Sequence, residues 1–249
     1  MPITLASDDP EAVRLVLAIR AGDIAGLGRL LAADPRLATA NIAERGGTKT
    51  PLHVVTDWPG YFPGGPQMVR LLIAAGADPD ALTSPDPPET PLHYAASSDD
   101  ADVAAALIDA GADIEKPGGS IGTPLDNAIG YACWHVARLL AASGARVDKL
   151  WHAAALGLLT RLQELLAENP PAEDQASAED QVSQAFWHAC AAGQRRAAEH
   201  LLAHGASLDW IPPYASGTPL DAASSNGTRQ DNVITWLREI GAPSDSPVS

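Results

Sequence analysis

The chain has 249 residues, 46% of them apolar, which is enough material for a sizeable core. Its 31 acidic residues against 16 Lys and Arg give a net charge of −15, which argues against nucleic acid or an anionic membrane as partner. Cys133 and Cys190 are too few for a disulfide framework, no signal-peptide pattern opens the chain, and no apolar run is long enough to cross a membrane. We therefore predict an acidic cytoplasmic protein.

The first predicted elements are two helices near the N-terminus. The stretch "AVRLVLAIRAGDIAGLGRLLAADP" has two runs of apolar residues at helical spacing, separated by "AGD". The stretch lacks the motif that recurs further along the chain. We interpret residues 10–41 as a capping helix pair.

The rest of the chain repeats itself. "TPLHVVT" begins at Thr50, and "TPLHYAAS", "TPLDNAIG" and "TPLDAASS" begin at Thr90, Thr123 and Thr218. Each copy is followed by an apolar helical stretch that ends in a glycine, as in "LLIAAGAD". The copies recur roughly every 33 residues, and "LWHAAA" and "FWHACAAG" fill the interval between the third and the last.

These motifs resemble the ankyrin repeat family along nearly the whole chain. The resemblance implies an all-α solenoid of about seven helix-turn-helix units joined by finger loops. It also implies a concave surface that commonly binds other proteins, so we predict a binding module with no catalytic step of its own. The residues fit independently, because Thr can cap each first helix and Pro suits the first helical position.

Fingers are predicted to be missing between residues 144 and 188. "GARVDKLWH" leaves no room for one, and residues 168–182 are rich in acid and proline, as in a surface loop or a mobile linker. We predict a single domain over 1–249, although 168–182 could instead divide two subdomains. After the capping helix pair, the predicted parts of the single domain are repeats at 48–167, the acidic loop at 168–182, C-terminal repeats at 183–243 and a tail at 244–249.

The two Trp-His pairs are interpreted as structural. Trp151 and Trp187 align with the inward-facing Leu of the other copies, so they are expected to fill volume where the finger is missing. The resemblance implies that His53, His93 and their equivalents tie each unit to the next by hydrogen bonds. Equivalent side chains of packed helices lie too far apart to share a zinc ion.

The resemblance places the binding residues in finger tips and at the ends of first helices. An insertion, "DWPGYFPGGP", adds aromatic residues that either clamp a ligand at the concave rim or cover the end of a neighbouring unit. The predicted partner-binding residues are Asp57, Trp58, Tyr61, Phe62, Tyr131, Trp210 and Tyr214. The equivalent positions at the ends of first helices in other repeats are Ser97, Ser98, Gly130, Ser225 and Asn226.

Three further patterns have both a chemical and a structural interpretation, and we favour the structural one. "GGSIGTPL" could cradle an anion or form a finger turn. His200 and His204 could bind a metal or complement the end of a helix. Cys133 with His135 could be a nucleophile and its base, or a packed turn. No metal or cofactor is predicted.

The predicted partner is another protein, for which a basic surface would be the electrostatic match. The alternative is an enzyme or small-molecule receptor with a pocket in the groove near the 57–66 insertion. A third hypothesis is an accessory subunit that inhibits or stabilises one enzyme.

Overall fold

The structure is a computed structural model that describes residues 2–245 apart from 45, 85–86, 120, 169–174 and 226–229. The chain forms two compact units, Met1–Ala145 and Arg146–Ser249, called here the N-terminal and the C-terminal unit. Each is described by itself. No helix among the described residues is long and apolar enough to span a membrane.

The N-terminal unit contains four successive helix pairs. Their bounds are α1 Pro10–Ala21, α2 Ile24–Ala33, α3 Pro51–Thr56, α4 Gly65–Ala74, α5 Pro91–Ser97, α6 Ala101–Asp109, α7 Pro124–Gly130 and α8 Trp134–Ala142, with a short 3-10 helix at Pro35–Thr39. The C-terminal unit contains three more: α9 Leu150–Leu156, α10 Leu159–Glu168, α11 Gln175–Ala191, α12 Arg195–Ala203, α13 Pro219–Ser225 and α14 Asp231–Glu239. The described residues thus confirm the prediction of about seven helix pairs and of a mainly helical repeat fold.

A small sheet in the N-terminal unit was not predicted. Strand β1, Thr4–Leu5, runs parallel to β2, Asn41–Glu44, and β2 pairs antiparallel with β3, Gly47–Lys49. The β2–β3 hairpin is the finger that precedes α3, and it joins the next finger through hydrogen bonds in both directions between Thr48 and Ser84. Strands this short are below the length at which alternating hydrophobicity can be recognised.

Threonine starts the repeat helices as predicted. Thr90 caps α5 in a reciprocal box with His93, and Thr123 caps α7 in the same way with Asp126. Asp126 and Asp221 each accept hydrogen bonds from the N–H and the hydroxyl of the preceding Thr. Both acids therefore have a structural role at the start of their helices.

The buried histidines join consecutive pairs, which confirms the role that the resemblance implied. His53 and His93 are completely buried. The N–H of Thr50 donates to Nδ1 of His53 at 3.2 Å, so Nε2 carries the proton and donates to the carbonyl of Glu89 at 3.0 Å. His93 likewise donates to the carbonyl of Gly122 at 3.0 Å. Each bond crosses from one repeat to the residue just before the Thr of the next.

The predicted role of the two tryptophans is wrong in part. Leu52, Leu92 and Leu125 are completely or almost completely buried, whereas Trp151 and Trp187 are only half-buried. Nε1 of Trp187 donates to the carbonyl of Gly217, the counterpart of Gly122, at 3.1 Å. Trp187 therefore makes the bond to the next repeat that His93 makes elsewhere, because an indole is long enough to reach that carbonyl from the adjacent position.

The interpretation of 168–182 as a loop is also wrong for most of its length. Helix α10 extends to Glu168 and α11 begins at Gln175, so residues 175–182 are helical, while 169–174 lie outside the described residues. The boundary between the two compact units falls between Ala145 and Arg146 in the sequence, and not in this segment. Ala, Glu and Gln favour helix, and an acidic composition indicates solvent exposure without deciding between a helix and a loop.

Candidate functional site

A cleft in the N-terminal unit brings together predicted residues from three successive repeats. It measures about 420 Å³ and lies where α3 and α7 end, along the exposed side of α5. We call it the Trp58 cleft, after its most exposed side chain, which is 79% accessible. Its lining residues are Asp57, Trp58, Glu89, Tyr94, Ser97, Ser98 and Tyr131.

The 57–66 insertion holds Trp58 at the rim through bonds to the next repeat. The N–H of Tyr61 donates to Oδ2 of Asp100 at 2.7 Å, and its hydroxyl donates to the carbonyl of Asp99 at 2.5 Å. Tyr61 adopts a φ of 57°, an uncommon value for a residue with a side chain, which these bonds sustain. Tyr61 thus anchors the insertion on the neighbouring repeat, while Trp58 projects beside the cleft and Phe62 is half-buried.

Asp57, at the edge of the cleft, is already paired with cations. Nζ of Lys49 lies 2.7 Å from a carboxylate oxygen of Asp57 and 2.7 Å from one of Glu44, and Arg20 approaches Asp57 at 3.5 Å. Burial alone would lower the pKa of Lys49, but its bonds to the two carboxylates outweigh burial and raise that pKa. Asp57 therefore contributes mainly to the stability of the rim.

Glu89 is the other carboxylate of the cleft, and no lysine or arginine of the described residues forms an ion pair with it. Its backbone is fixed on both sides, since its N–H donates to the hydroxyl of Thr83 and its carbonyl accepts from His53. Its Oε1 accepts a hydrogen bond of 3.0 Å from Nδ2 of Asn127, which is completely buried. The carboxylate is therefore held in a defined position beside the ring of Tyr94, whose pKa is raised by burial and by the charge of Glu89.

The other predicted residues belong to the C-terminal unit. Tyr214 is 57% exposed, and its hydroxyl accepts from Gln184 at 2.8 Å and lies 3.1 Å from Nε2 of His188. The ring of His188 stacks between those of Trp151 and Tyr214. Trp210 is half-buried and donates from Nε1 to Asp180 at 2.9 Å. Both predicted residues have structural contacts within their own unit.

The remaining patterns have local structural partners. Nδ1 of His135 lies 2.7 Å from a carboxylate oxygen of Asp99, and the thiol of Cys133 is buried and points to the carbonyl of Tyr131. Gly118 and Gly122 form a tight turn, which accounts for the glycines of the finger. Within the described residues, no group of three His, Cys, Asp or Glu side chains could hold a metal. Asn226 lies outside the described residues.

Three residues of the site, Glu89, Tyr94 and Asn127, were not predicted from the repeat motifs. Tyr94 follows the His of its motif, where the neighbouring copies have Val54 and Asn127, and Glu89 directly precedes the Thr of its copy. Comparing these two positions across copies would have identified an unusual aromatic residue and an unusual carboxylate. Nothing in the motif itself shows that Asn127 reaches back to Glu89.

Comparison with known families agrees with this arrangement of repeats. A model of ankyrin repeats, comprising three copies, matches residues 15–116 and 60–149, which together span more than half of the chain. The chain belongs to the ankyrin repeat family. Ankyrin repeats are generally modules for protein–protein interaction and are generally non-enzymatic scaffolds. No curated protein matches the chain at a significant level.

Solved ankyrin repeat structures resemble the chain. The ankyrin repeat domain of Bcl-3, a protein described as a unique member of the IkappaB protein family, is 26% identical, with a TM-score of 0.52 over 90% of this chain and 97% of that one. The human ASB11 ankyrin repeat domain is 24% identical, with a TM-score of 0.44 over 78% and 85% of the two chains. The first comparison supports an ankyrin fold over most of the sequence.

Proposed function

We propose that this ankyrin repeat protein binds a partner protein through its concave face, at the Trp58 cleft. The observation that carries the proposal is an indole 79% exposed at the rim of a cleft built on helices of consecutive repeats. Tyr131, 56% exposed, adds a second aromatic side chain. Tryptophan and tyrosine dominate the energetics of protein interfaces, and a rigid support reduces the ordering entropy that association costs.

The proposed partner has a basic surface. The chain carries a net charge of −15, so a partner of opposite charge would be steered toward it and bound more tightly at low salt. We further propose that binding involves no catalytic step. A cytoplasmic location also remains a prediction.

Co-purification tests the proposal. Tagged wild-type protein is compared with Trp58→Ala and Tyr131→Ala at native abundance, after circular dichroism has shown that each variant is folded. We expect either substitution to deplete one specific companion, because loss of an aromatic anchor costs about 2 kcal/mol or more, roughly 30-fold in affinity.

Two further variants make this comparison specific. Leu158→Ala removes an apolar side chain that is 41% exposed in the C-terminal unit, and it should leave the companion in place. Tyr214→Ala tests the predicted binding residue of that unit. If the companion is lost only with Tyr214→Ala, the proposed site is wrong and binding belongs to the C-terminal unit.

A small-molecule receptor is the second candidate function. At about 420 Å³ the cleft has the size of a ligand pocket, and polar groups of Glu89, Tyr94 and Ser97 converge in it. A metabolite library screened by thermal shift would reveal such a ligand. A stabilising compound whose effect disappears with Trp58→Ala would favour this function over protein binding.

A further inference from the structure

The Trp58 cleft has an uncompensated charge. Asp57 is neutralised by Lys49 and Arg20, but Glu89 is half-buried and forms no ion pair with a cation of the described residues. A carboxylate withdrawn from water without a cation is costly. A cationic ligand that entered the cleft would remove that cost.

Asn127 provides an independent indication that the position of this carboxylate is functional. Asn127 is completely buried and uses its amide hydrogens on Oε1 of Glu89 at 3.0 Å and on the hydroxyl of Ser97 at 3.3 Å, both in the wall of the cleft. Its Oδ1 is buried and has no hydrogen-bond partner among the described residues. Asn127 thus directs both donated bonds at side chains that line the cleft, which fixes the position of the Glu89 carboxylate.

The other polar groups of the cleft also favour a ligand that donates hydrogen bonds. The hydroxyls of Ser97 and Ser98 line the cleft and donate to backbone carbonyls of α5, so each keeps acceptor capacity, part of which Ser97 uses for Asn127. The exposed rings of Trp58 and Tyr131 supply two aromatic surfaces beside the carboxylate. Arginine matches both features, because its planar guanidinium stacks on aromatic rings and pairs with a carboxylate through two parallel N–H groups.

We propose that the Trp58 cleft receives an arginine side chain of the partner protein, with Glu89 as its counter-ion and Trp58 and Tyr131 as stacking surfaces. This inference rests on the proposed function and specifies the chemistry of the partner at one position. Asn127 acts as a positioning residue, since it orients Glu89 without facing the ligand.

The probe is N-acetyl-arginine methylamide, whose only charge is the guanidinium group. Wild-type protein is titrated with it in the millimolar range, and binding is followed by the NMR signal of the Trp58 indole N–H, assigned by its absence in Trp58→Ala. The matched citrulline compound has nearly the same shape without the charge, and the matched lysine compound has the charge without the planar fork. We expect the arginine compound to shift the Trp58 signal, the lysine compound to bind more weakly, and the citrulline compound not to bind.

Variants test the counter-ion. Glu89→Gln keeps an acceptor for Asn127 but removes the charge, and we expect it to weaken arginine binding at least about tenfold, as for loss of a charge-assisted hydrogen bond. Glu239→Gln makes the same charge change at an exposed site in the C-terminal unit and should have no effect. Asn127→Ala should weaken arginine binding and leave the lysine compound less affected, because a point charge needs less exact orientation.

Several results would overturn the inference. They are equal binding of the citrulline compound, equal binding of the lysine compound, an unshifted Trp58 signal, or full affinity in Glu89→Gln. The comparison of compounds uses wild-type protein alone, so it stands even if Glu89→Gln does not fold. If Trp58→Ala loses its companion protein while the arginine compound does not bind, the proposed function holds and only the arginine inference fails.

Discussion

At the scale of single residues, the buried histidines make stability depend on pH. Burial lowers the pKa of His53 from 6.5 to about 4 and that of His188 to about 3. Both are therefore neutral in the folded protein at pH 7, which leaves Nδ1 of His53 able to accept from the N–H of Thr50 while Nε2 donates to the next repeat. Below pH 6.5 the unfolded chain binds protons that the folded chain does not.

The free energy of unfolding should consequently fall as pH decreases from 6.5 to 4. His53 alone accounts for about 3 kcal/mol of this loss, at 1.36 kcal/mol per pKa unit. His53→Ala should cost about 2–5 kcal/mol at pH 7, because it leaves buried hydrogen-bonding groups without partners, and its stability should depend less steeply on pH. Urea unfolding at several pH values measures both effects.

His204→Ala is the control for that experiment, since His204 is exposed at the end of α12. It should retain the wild-type stability at pH 7 and the wild-type pH dependence. A His53→Ala protein that loses stability between pH 6.5 and 4 as steeply as wild type would contradict the assignment of this dependence to His53.

Much of the residue scale could be predicted from the sequence, because position within a repeat determines the environment of a side chain. The capping role of Thr90 follows from its position at the start of a helix, and the role of His93 follows from the family resemblance. The hydrogen bond between Glu89 and Asn127 could not be predicted, since it joins different repeats through side chains that are not part of the motif. The exchange of roles between Trp187 and the repeat histidine depends on side-chain length, which an alignment of positions does not consider.

At the scale of elements, α1 shows how a terminal helix is divided between core and surface. Leu15 is completely buried in α1, whereas Leu17, two residues later on the same helix, is 61% exposed. The two leucines offer a matched test of how much the buried side of the capping helix contributes to the free energy of unfolding. Both substitutions remove the same atoms from the same helix.

Leu15→Ala should lower the free energy of unfolding by about 2–5 kcal/mol, the cost of removing a buried leucine side chain. Leu17→Ala should change it by less than about 0.5 kcal/mol, because the side chain is largely in water in both states. Chemical denaturation of the two variants measures the difference. In the structure α1 packs on α2 and α3, and equal effects of the two substitutions would contradict that packing.

Helix existence was predictable at this scale, but helix length was less so. The apolar spacing that marks α1, α4 and α6 comes from burial on one side, and burial leaves a pattern in the sequence. The first turns of α11 reach beyond that pattern, with Gln181 exposed, so no apolar spacing marks them. The sheet formed by β1, β2 and β3 was missed because its strands are too short to show alternating hydrophobicity.

At the scale of the whole molecule, the two cysteines report on folding. Cys133 lies in the N-terminal unit and Cys190 in the C-terminal unit, and both are buried. Burial raises the pKa of the Cys133 thiol to about 12 and also raises that of Cys190. Because the thiolate is the reactive form, both thiols should be inert in the folded protein.

Folded protein at neutral pH should therefore react only very slowly with Ellman's reagent, and urea at unfolding concentrations should release two thiols per chain. Mass spectrometry of the labelled peptides assigns each modification to its cysteine. Rapid labelling of either cysteine without denaturant would show that its surroundings open readily.

The Trp58 cleft takes its rim from the end of α3, its carboxylate from the residue before the capping Thr of α5, and its second aromatic ring from the end of α7. No single repeat encodes it. Exchanging one repeat with a relative, a common way to engineer such scaffolds, should therefore abolish the proposed recognition and transfer none of it. A graft that carries the specificity elsewhere must move residues 48–131 as one block.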